Sequence, residues 1–89
     1  MKGLMNIGFG NLVQTDKIVA IVTPDSSPSK RLVQRAKQEE RIIDATQGRK
    51  TRSIIVAENN MIVLSALGTE TLQSRFYDIA KMTEVKNER

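Results

Sequence analysis

Ser53-Ile54-Ile55-Val56-Ala57-Glu58-Asn59-Asn60-Met61-Ile62-Val63-Leu64-Ser65-Ala66 is the stretch on which the fold turns. Its two apolar runs, 53–57 and 61–66, are rich in the β-branched residues that suit a pleated sheet surface. They predict two strands on a tight hairpin, because Asn tolerates the positive φ that a two-residue turn demands. Asn-Asn is a weaker turn signal than Asn-Gly.

Upstream, Ile42-Ile43-Asp44-Ala45-Thr46 reads as another strand ending at Gln47-Gly48, and the basic run Arg49-Lys50-Thr51-Arg52 leads on into the hairpin. Residues 30–41 fit a helix of about three turns, with Ser27 as N-cap and Pro28 at the first helical position, where its missing N–H costs nothing. At 100° per residue, Leu32, Val33 and Ala36 share one sector, while Lys30, Gln34, Lys37 and Arg41 fall within about 60° on another. Glu40 would point into the apolar sector, so the helix is expected to fray before it. Lys17–Thr23 is β-branched and apolar and stops at Pro24, which makes it a strand. In the segment Leu4–Val13, Gly8 and Gly10 separate a short strand from a second extended piece by a turn.

Downstream, Gly68 punctuates the chain and Thr69 is placed to cap a second helix. Leu72, Phe76, Ile79 and Ala80 recur at i, i+4, i+7 and i+8, the spacing of one core-facing stripe. Residues 83–89 are polar and are expected to fray, leaving 1–82 as a single domain. The expected fold is α+β, in the order β-β-α-β-β-β-α, with one mixed or antiparallel sheet and two helices.

Residues 18–22, 54–57 and 61–64 are almost continuously apolar, whereas a sheet with one solvated face alternates. Two three-turn helices gathered on one face would leave the other as an apolar patch, which normally marks an interface. A homo-oligomer is therefore expected. The alternative is a monomer whose helices divide between the two faces.

Leu, Ile, Val and Phe make up 24 of the 89 residues, above the roughly 20% below which chains tend to stay disordered. There is no Cys and no His, which excludes disulfides, thiolate nucleophiles, imidazole bases and His- or Cys-based zinc sites. No apolar run approaches the roughly 18 residues of a membrane helix, and the start, Met1-Lys2-Gly3-Leu4-Met5-Asn6, lacks a signal peptide's apolar region. A cytoplasmic location without a membrane partner is the expectation, to which any DNA-binding role argued from the basic residues would add association with the nucleoid.

Candidate chemistry is thin. Gly8-Phe9-Gly10 resembles part of a dinucleotide-binding loop, but Val13 stands where the third glycine is needed. A tight turn with Phe9 as a core or interface side chain is the better reading. Asp16, Asp25 and Asp44 are dispersed and lack the regular spacing of a hard-cation loop. Asp44 with Glu39 or Glu40 is the one conceivable acid–base pair, and no motif supports it. No catalysis, cofactor, metal or small-molecule substrate is expected.

Basic residues remain. The formal net charge is +4. Residues 30–41 carry five cations and two anions, and residues 49–52 carry three cations and no anion. The positive charge is thus concentrated in two segments. Arg forks match phosphate oxygens bidentately, and the Thr51 hydroxyl and Gly48 N–H could add phosphate hydrogen bonds. A lone cluster this short is commonly just a solvated turn, but a second basic stripe on the helix favours a polyanionic partner. Only Phe9, Phe76 and Tyr77 are aromatic, too few for a single-strand stacking platform, so duplex DNA gripped through phosphates fits better.

Three strings go further: Asn6-Ile7-Gly8-Phe9-Gly10-Asn11, Pro28-Ser29-Lys30-Arg31, and Ile43-Asp44-Ala45-Thr46-Gln47-Gly48-Arg49-Lys50-Thr51-Arg52. Together they resemble the RemA family of small bacterial extracellular-matrix regulators, over about residues 4–75. The resemblance implies a DNA-binding transcriptional activator of biofilm-matrix genes, assembled into ring-shaped oligomers. It carries the family's basic cluster onto Arg49 and Lys50, with Arg52 beside them, and a further basic position onto Lys17. Members often have Arg at the positions of Lys17 and Lys50; Lys keeps the charge and loses the fork. Gln47 stands where an aromatic is common.

The expected DNA-contacting residues are therefore Arg49, Lys50 and Arg52 with Thr51, then Lys17, then Lys30, Lys37 and Arg41, whose helix face could instead meet a neighbouring subunit. An interaction scaffold whose basic surface docks an acidic protein or a membrane is the alternative.

Overall fold

The computed structural model describes residues 3–87, with side chains described as far as Met82. Strands β1 (Leu4–Asn6) and β2 (Leu12–Gln14) form an antiparallel ribbon, and a single 3-10 turn, Thr15–Lys17, leads into β3 (Ile18–Val22). Helix α1 (Ser27–Gln38) connects β3 to β4 (Ile42–Asp44). The hairpin strands β5 (Ser53–Ala57) and β6 (Ile62–Ser65) follow, then α2 (Thr69–Asn87).

The α+β class, the two helices, their places among the strands and a mixed sheet are as expected. The extended piece after Gly10 also forms a strand, β2, because the glycine-hinged segment pairs with itself. The β1–β2 ribbon is thereby a separate two-stranded sheet beside a four-stranded one. The larger sheet has the order β3-β5-β6-β4. β3/β5 and β5/β6 are antiparallel, and β4/β6 is parallel. A parallel edge strand needs a long crossover, and α1 supplies it.

The β5–β6 hairpin is the centre of the fold. Its turn places Asn59 at φ 64° and Asn60 at φ 61°, with Met61 N–H donating to the Glu58 carbonyl at 3.4 Å. Both central residues are left-handed, as a primed hairpin turn requires. Ile54 and Ile55, adjacent in sequence and on opposite sheet faces, are both fully buried. Ile54, Ile62 and Leu64 pack with Ala36, Leu32 and Val33 of α1. Ile55 and Val63 pack on the other face with Met5, Ile7, Leu72, Phe76 and Ile79, from the ribbon and α2.

The helices thus divide between the two faces. This overturns the expectation of a bare sheet face: both faces are covered, which is why the central strands lack alternation. An oligomer must be argued from other surfaces.

Helix α1 also begins earlier than expected. Ser26, not Ser27, is the N-cap; its hydroxyl accepts from Ser29 N–H at 3.2 Å. The helix stops at Gln38, so Arg41 leaves the basic stripe. Arg41 N–H donates to the Ala36 carbonyl at 2.8 Å and Glu40 N–H to Lys37 at 3.2 Å, around Glu40 at φ 57°. This is a Schellman stop with Glu at the position that glycine usually fills. At the other end of the chain, α2 is helical through Asn87, past Thr83 where the polar tail is expected to fray. Residues 88 and 89 of that tail lie outside the described residues.

Glu40→Gly should raise stability by about 0.5–1 kcal/mol, since glycine adopts the left-handed cap without a Cβ penalty. Urea denaturation checks this; an unchanged or lower midpoint would contradict the cap assignment.

Candidate nucleic-acid interface

The chain leaves β4 through a loop built by one carboxylate. Asp44 Oδ1 accepts from the Thr46 N–H at 2.9 Å and from the Thr46 hydroxyl at 2.6 Å. Arg49 N–H then donates to the Thr46 carbonyl at 3.0 Å, across Gln47 at φ 54° and Gly48 at φ 79°. Two left-handed residues in succession reverse the chain tightly, and Gly48 makes the second inexpensive. Thr46 is buried, while Arg49, Lys50 and Arg52 are exposed. At the far end, Arg52 N–H donates to the Ser65 carbonyl at 2.9 Å, extending the β5–β6 ladder into the loop.

The same carboxylate responds to the loop. Thr46's hydroxyl and N–H, and to a lesser extent the positive field of Lys37, hold the Asp44 carboxyl below the usual aspartate range despite some desolvation.

A second tight turn lies beside the first. Gly8 (φ 112°), Phe9 (φ 56°) and Gly10 (φ 79°) are consecutive positive-φ residues. Asn6 Oδ1 accepts from Gly8 N–H at 2.7 Å, and Asn11 donates to the Gly8 carbonyl from its backbone at 3.0 Å and its side chain at 2.9 Å. Phe9 is 51% exposed, so it is not a core residue. With glycines on both sides and a left-handed backbone, the turn points its one side chain outward. The Arg49 guanidinium lies 5.8 Å from the Phe9 ring centroid, within cation–π range.

Ser65 sits where these turns meet the sheet. Its buried hydroxyl donates to the Ile7 carbonyl at 2.7 Å and accepts from Leu67 N–H at 3.0 Å. Its cross-strand partner Ser53 donates to the Leu67 carbonyl at 2.6 Å.

The eight sequence-predicted residues separate into two groups. Arg49, Lys50, Thr51 and Arg52 share the loop, and among the described residues none of their side chains is in a salt bridge. Thr51 also borders a groove of about 460 Å³ with Lys30, Gln34 and Lys37 along its α1 side, so one loop residue, though none of the loop's cations, reaches the basic helix face. Lys50 and Arg52 line another cleft with Gly68 and Thr69, at the N-terminal end of α2, where the helix dipole adds positive potential. Asp25 and Glu70 border that cleft too.

Lys17 and Arg41 lie at the opposite end of the sheet, beside the hairpin turn. Lys17 is 3.5 Å from the Glu58 carboxylate. Arg41 pairs with Glu39 at 2.7 Å and donates to the Asn60 carbonyl. Arg41 therefore has a structural task, tying the exit of α1 to the hairpin.

Two contributors escape the sequence reading. Asp44 counts there only as an acid, although Asp two residues before Thr is a turn-forming signal. Phe9 counts there as a core or interface side chain; the flanking glycines are the clue to its outward direction.

Fold and loop together define a small module with a cationic surface and without Cys or His. Among the described residues, no group of three His, Cys, Asp or Glu could hold a metal ion, and no helix is long and apolar enough to cross a membrane. The family described as RemA-like, extracellular matrix regulatory protein A-like, matches residues 4–76, and the chain belongs to it. It is 51% identical over 88 residues to a Fervidobacterium nodosum protein named "Putative regulatory protein", covering 99% of this chain and 92% of that one. Proteins of the same name in Thermotoga petrophila and Thermosipho melanesiensis are 56% and 57% identical, covering 88% and 85% of this chain and 85% and 81% of theirs. Family membership points to a regulatory, non-catalytic role.

Asp44→Ala should cost about 1 kcal/mol at neutral pH, because the Thr46 bonds go with the carboxylate. A depressed carboxyl stabilises the fold above its unfolded pKa, and that contribution is lost as pH falls through the lower folded value. In urea titrations from pH 7 to pH 2, the difference between wild type and Asp44→Ala should therefore narrow only below about pH 4. A constant difference across that range would contradict the clamp.

Proposed function

We propose that this protein is an oligomeric transcriptional regulator that grips duplex DNA through phosphate contacts from the 49–52 loop. The observation that carries this reading is the loop itself: three exposed cations, none in a salt bridge among the described residues, on a backbone held by the Asp44 clamp and the end of the β5–β6 ladder. A rigid cationic loop suits a polyanion of regular charge spacing better than a flexible acidic peptide does. Arg49 and Arg52 supply forks, Lys50 a point charge, and the Thr51 hydroxyl a further donor. Lys30 and Lys37 extend the positive surface along α1 past Thr51. Lys17 and Arg41, at the other end of the sheet, would reach the same duplex only through another subunit's surface.

Phosphate contacts carry no sequence information of their own, so sequence preference would come chiefly from DNA curvature and deformability. Activation of biofilm-matrix genes, the role implied by the RemA resemblance, belongs to this same proposal.

Self-association is supported by the sheet edges rather than its faces. β3 is an edge strand beside an apolar groove of about 880 Å³ lined by Ile18, Ile21, Phe76 and Ala80. Val19 and Tyr77 at that groove are 67% and 62% exposed. At the opposite edge, Ile43 of β4 is 52% exposed. Different apolar surfaces on two opposite edges suit head-to-tail contacts, which close into a ring when the rotation allows. Each subunit would then repeat one modest DNA contact, and avidity would multiply them.

Arg49→Ala should weaken duplex binding and flatten the log affinity–log salt slope by about 0.9 for each phosphate left without its cation. Unchanged affinity and slope in a folded variant would refute the site, and no duplex binding by wild type at low salt would favour the scaffold reading. Light scattering at micromolar concentration should give a mass of several chains; a single-chain mass throughout would refute self-association.

A further inference from the structure

We infer that Phe9 is a DNA-contacting residue, packing its ring against the sugar–base edge of the nucleotide whose phosphate Arg49 holds. This rests on the DNA-binding reading above and assigns a non-electrostatic contact to the same surface. An aromatic held half-exposed at a left-handed backbone position is costly twice, in strain and in apolar exposure. Such strain persists where the surroundings over-determine it, and it concentrates at functional sites.

The surroundings here do so. The turn is closed by the Asn6 side chain, which accepts from Gly8 N–H, and by Asn11, whose side chain and backbone N–H donate to the Gly8 carbonyl. Arg75 donates to the Asn6 carbonyl at 2.8 Å and Ser65 to the Ile7 carbonyl at 2.7 Å, anchoring the turn to α2 and β6. On its inner side the turn faces the Leu67 side chain, whose Cγ would lie at an ordinary contact distance of 3.4 Å from a Cβ at Gly8.

Phe9 also borders a pocket of about 430 Å³ with Arg49, Lys50 and Arg52 on its rim and Leu67 in its wall. Cations beside an aromatic and an aliphatic wall match the two halves of a nucleotide, an anionic phosphate and an apolar sugar–base face. In a duplex the deoxyribose joins phosphate to base, so a ring beside a phosphate-gripping guanidinium meets that sugar and the groove edge behind it. Apolar side chains that enter at this level unstack or bend the helix. Phe9 would thus give the surface the deformability preference that phosphate contacts alone lack.

Salt titration separates this contact from the charged ones. Phe9→Ala should lower duplex affinity roughly fivefold to tenfold, a modest share of typical base–aromatic stacking, and leave the salt slope unchanged. Arg49→Ala should reduce both. A slope that falls with Phe9→Ala as it does with Arg49→Ala would overturn the contact and leave Phe9 as a positioning residue for Arg49. Unchanged affinity would overturn it outright while leaving the DNA-binding reading intact, whereas no binding by wild type would overturn both.

Phe9→Gly adds a stability readout, because it relieves the strained backbone. It should match or exceed wild type in thermal midpoint while binding as weakly as Phe9→Ala. The chain contains no Trp, so Phe9→Trp places a single emitter at this position. Its fluorescence should change on saturation with duplex; binding without any change would overturn the inference.

Discussion

The buried Ser65 hydroxyl joins the parts on which the proposed interface depends. It gives its proton to the ribbon at Ile7 and takes one from the backbone at Leu67. One side chain thereby ties the Gly8–Gly10 turn to the end of β6 and to the start of the connection into α2. Its neighbour Ser53 holds Leu67 from the adjacent strand. Buried hydroxyls are worth most when donor and acceptor capacities are both used. Because the Ser65 carbonyl also receives the Arg52 N–H, this same residue registers the cationic loop against the aromatic turn.

From that junction the surface follows. Asp44 and Thr46 shape one end of the cationic loop and the β5–β6 ladder shapes the other. Four residues carrying three charges are presented as a short rim hydrogen-bonded at both ends, where a freely moving tail would lose more entropy in the proposed binding. The Phe9 turn is made equally stiff by Asn6 and Asn11. Two turns of left-handed backbone, distant in sequence, stand side by side because each is fastened to the same end of one hairpin. The opposite end of that hairpin has a different character: Lys17 and Arg41 are held there by Glu58, Glu39 and the Asn60 carbonyl.

Much of the fold is legible locally. The β-branched runs flanking Asn59-Asn60, the Ser-Ser-Pro start of α1 and the stripe at Leu72, Phe76 and Ile79 each form what their patterns imply. Glu40 is legible as the point where α1 must fail, though not as a left-handed cap. The ribbon's separation into its own sheet is not, because Leu4–Gln14 carries no cue to whether it pairs with itself or joins a larger sheet. The basic loop is legible as charge; Asp44's part in shaping it depends on a side chain folding back onto a backbone group two residues on.

The sequence by itself determined the element types, the apolar hairpin at the centre and the concentration of positive charge in two segments, because these follow from propensity, periodicity and composition. Only the tertiary structure decided that the helices take opposite faces, since a continuous apolar strand demands cover on both sides without saying which element provides it. It also decided which charges lie together. Lys30 and Arg41 share a stretch of twelve residues, yet a helix stop sends one towards Thr51 and the other to the hairpin turn. Phe9 and Arg49, forty residues apart in the chain, become neighbours because long-range packing and the Ser65 junction bring their turns together.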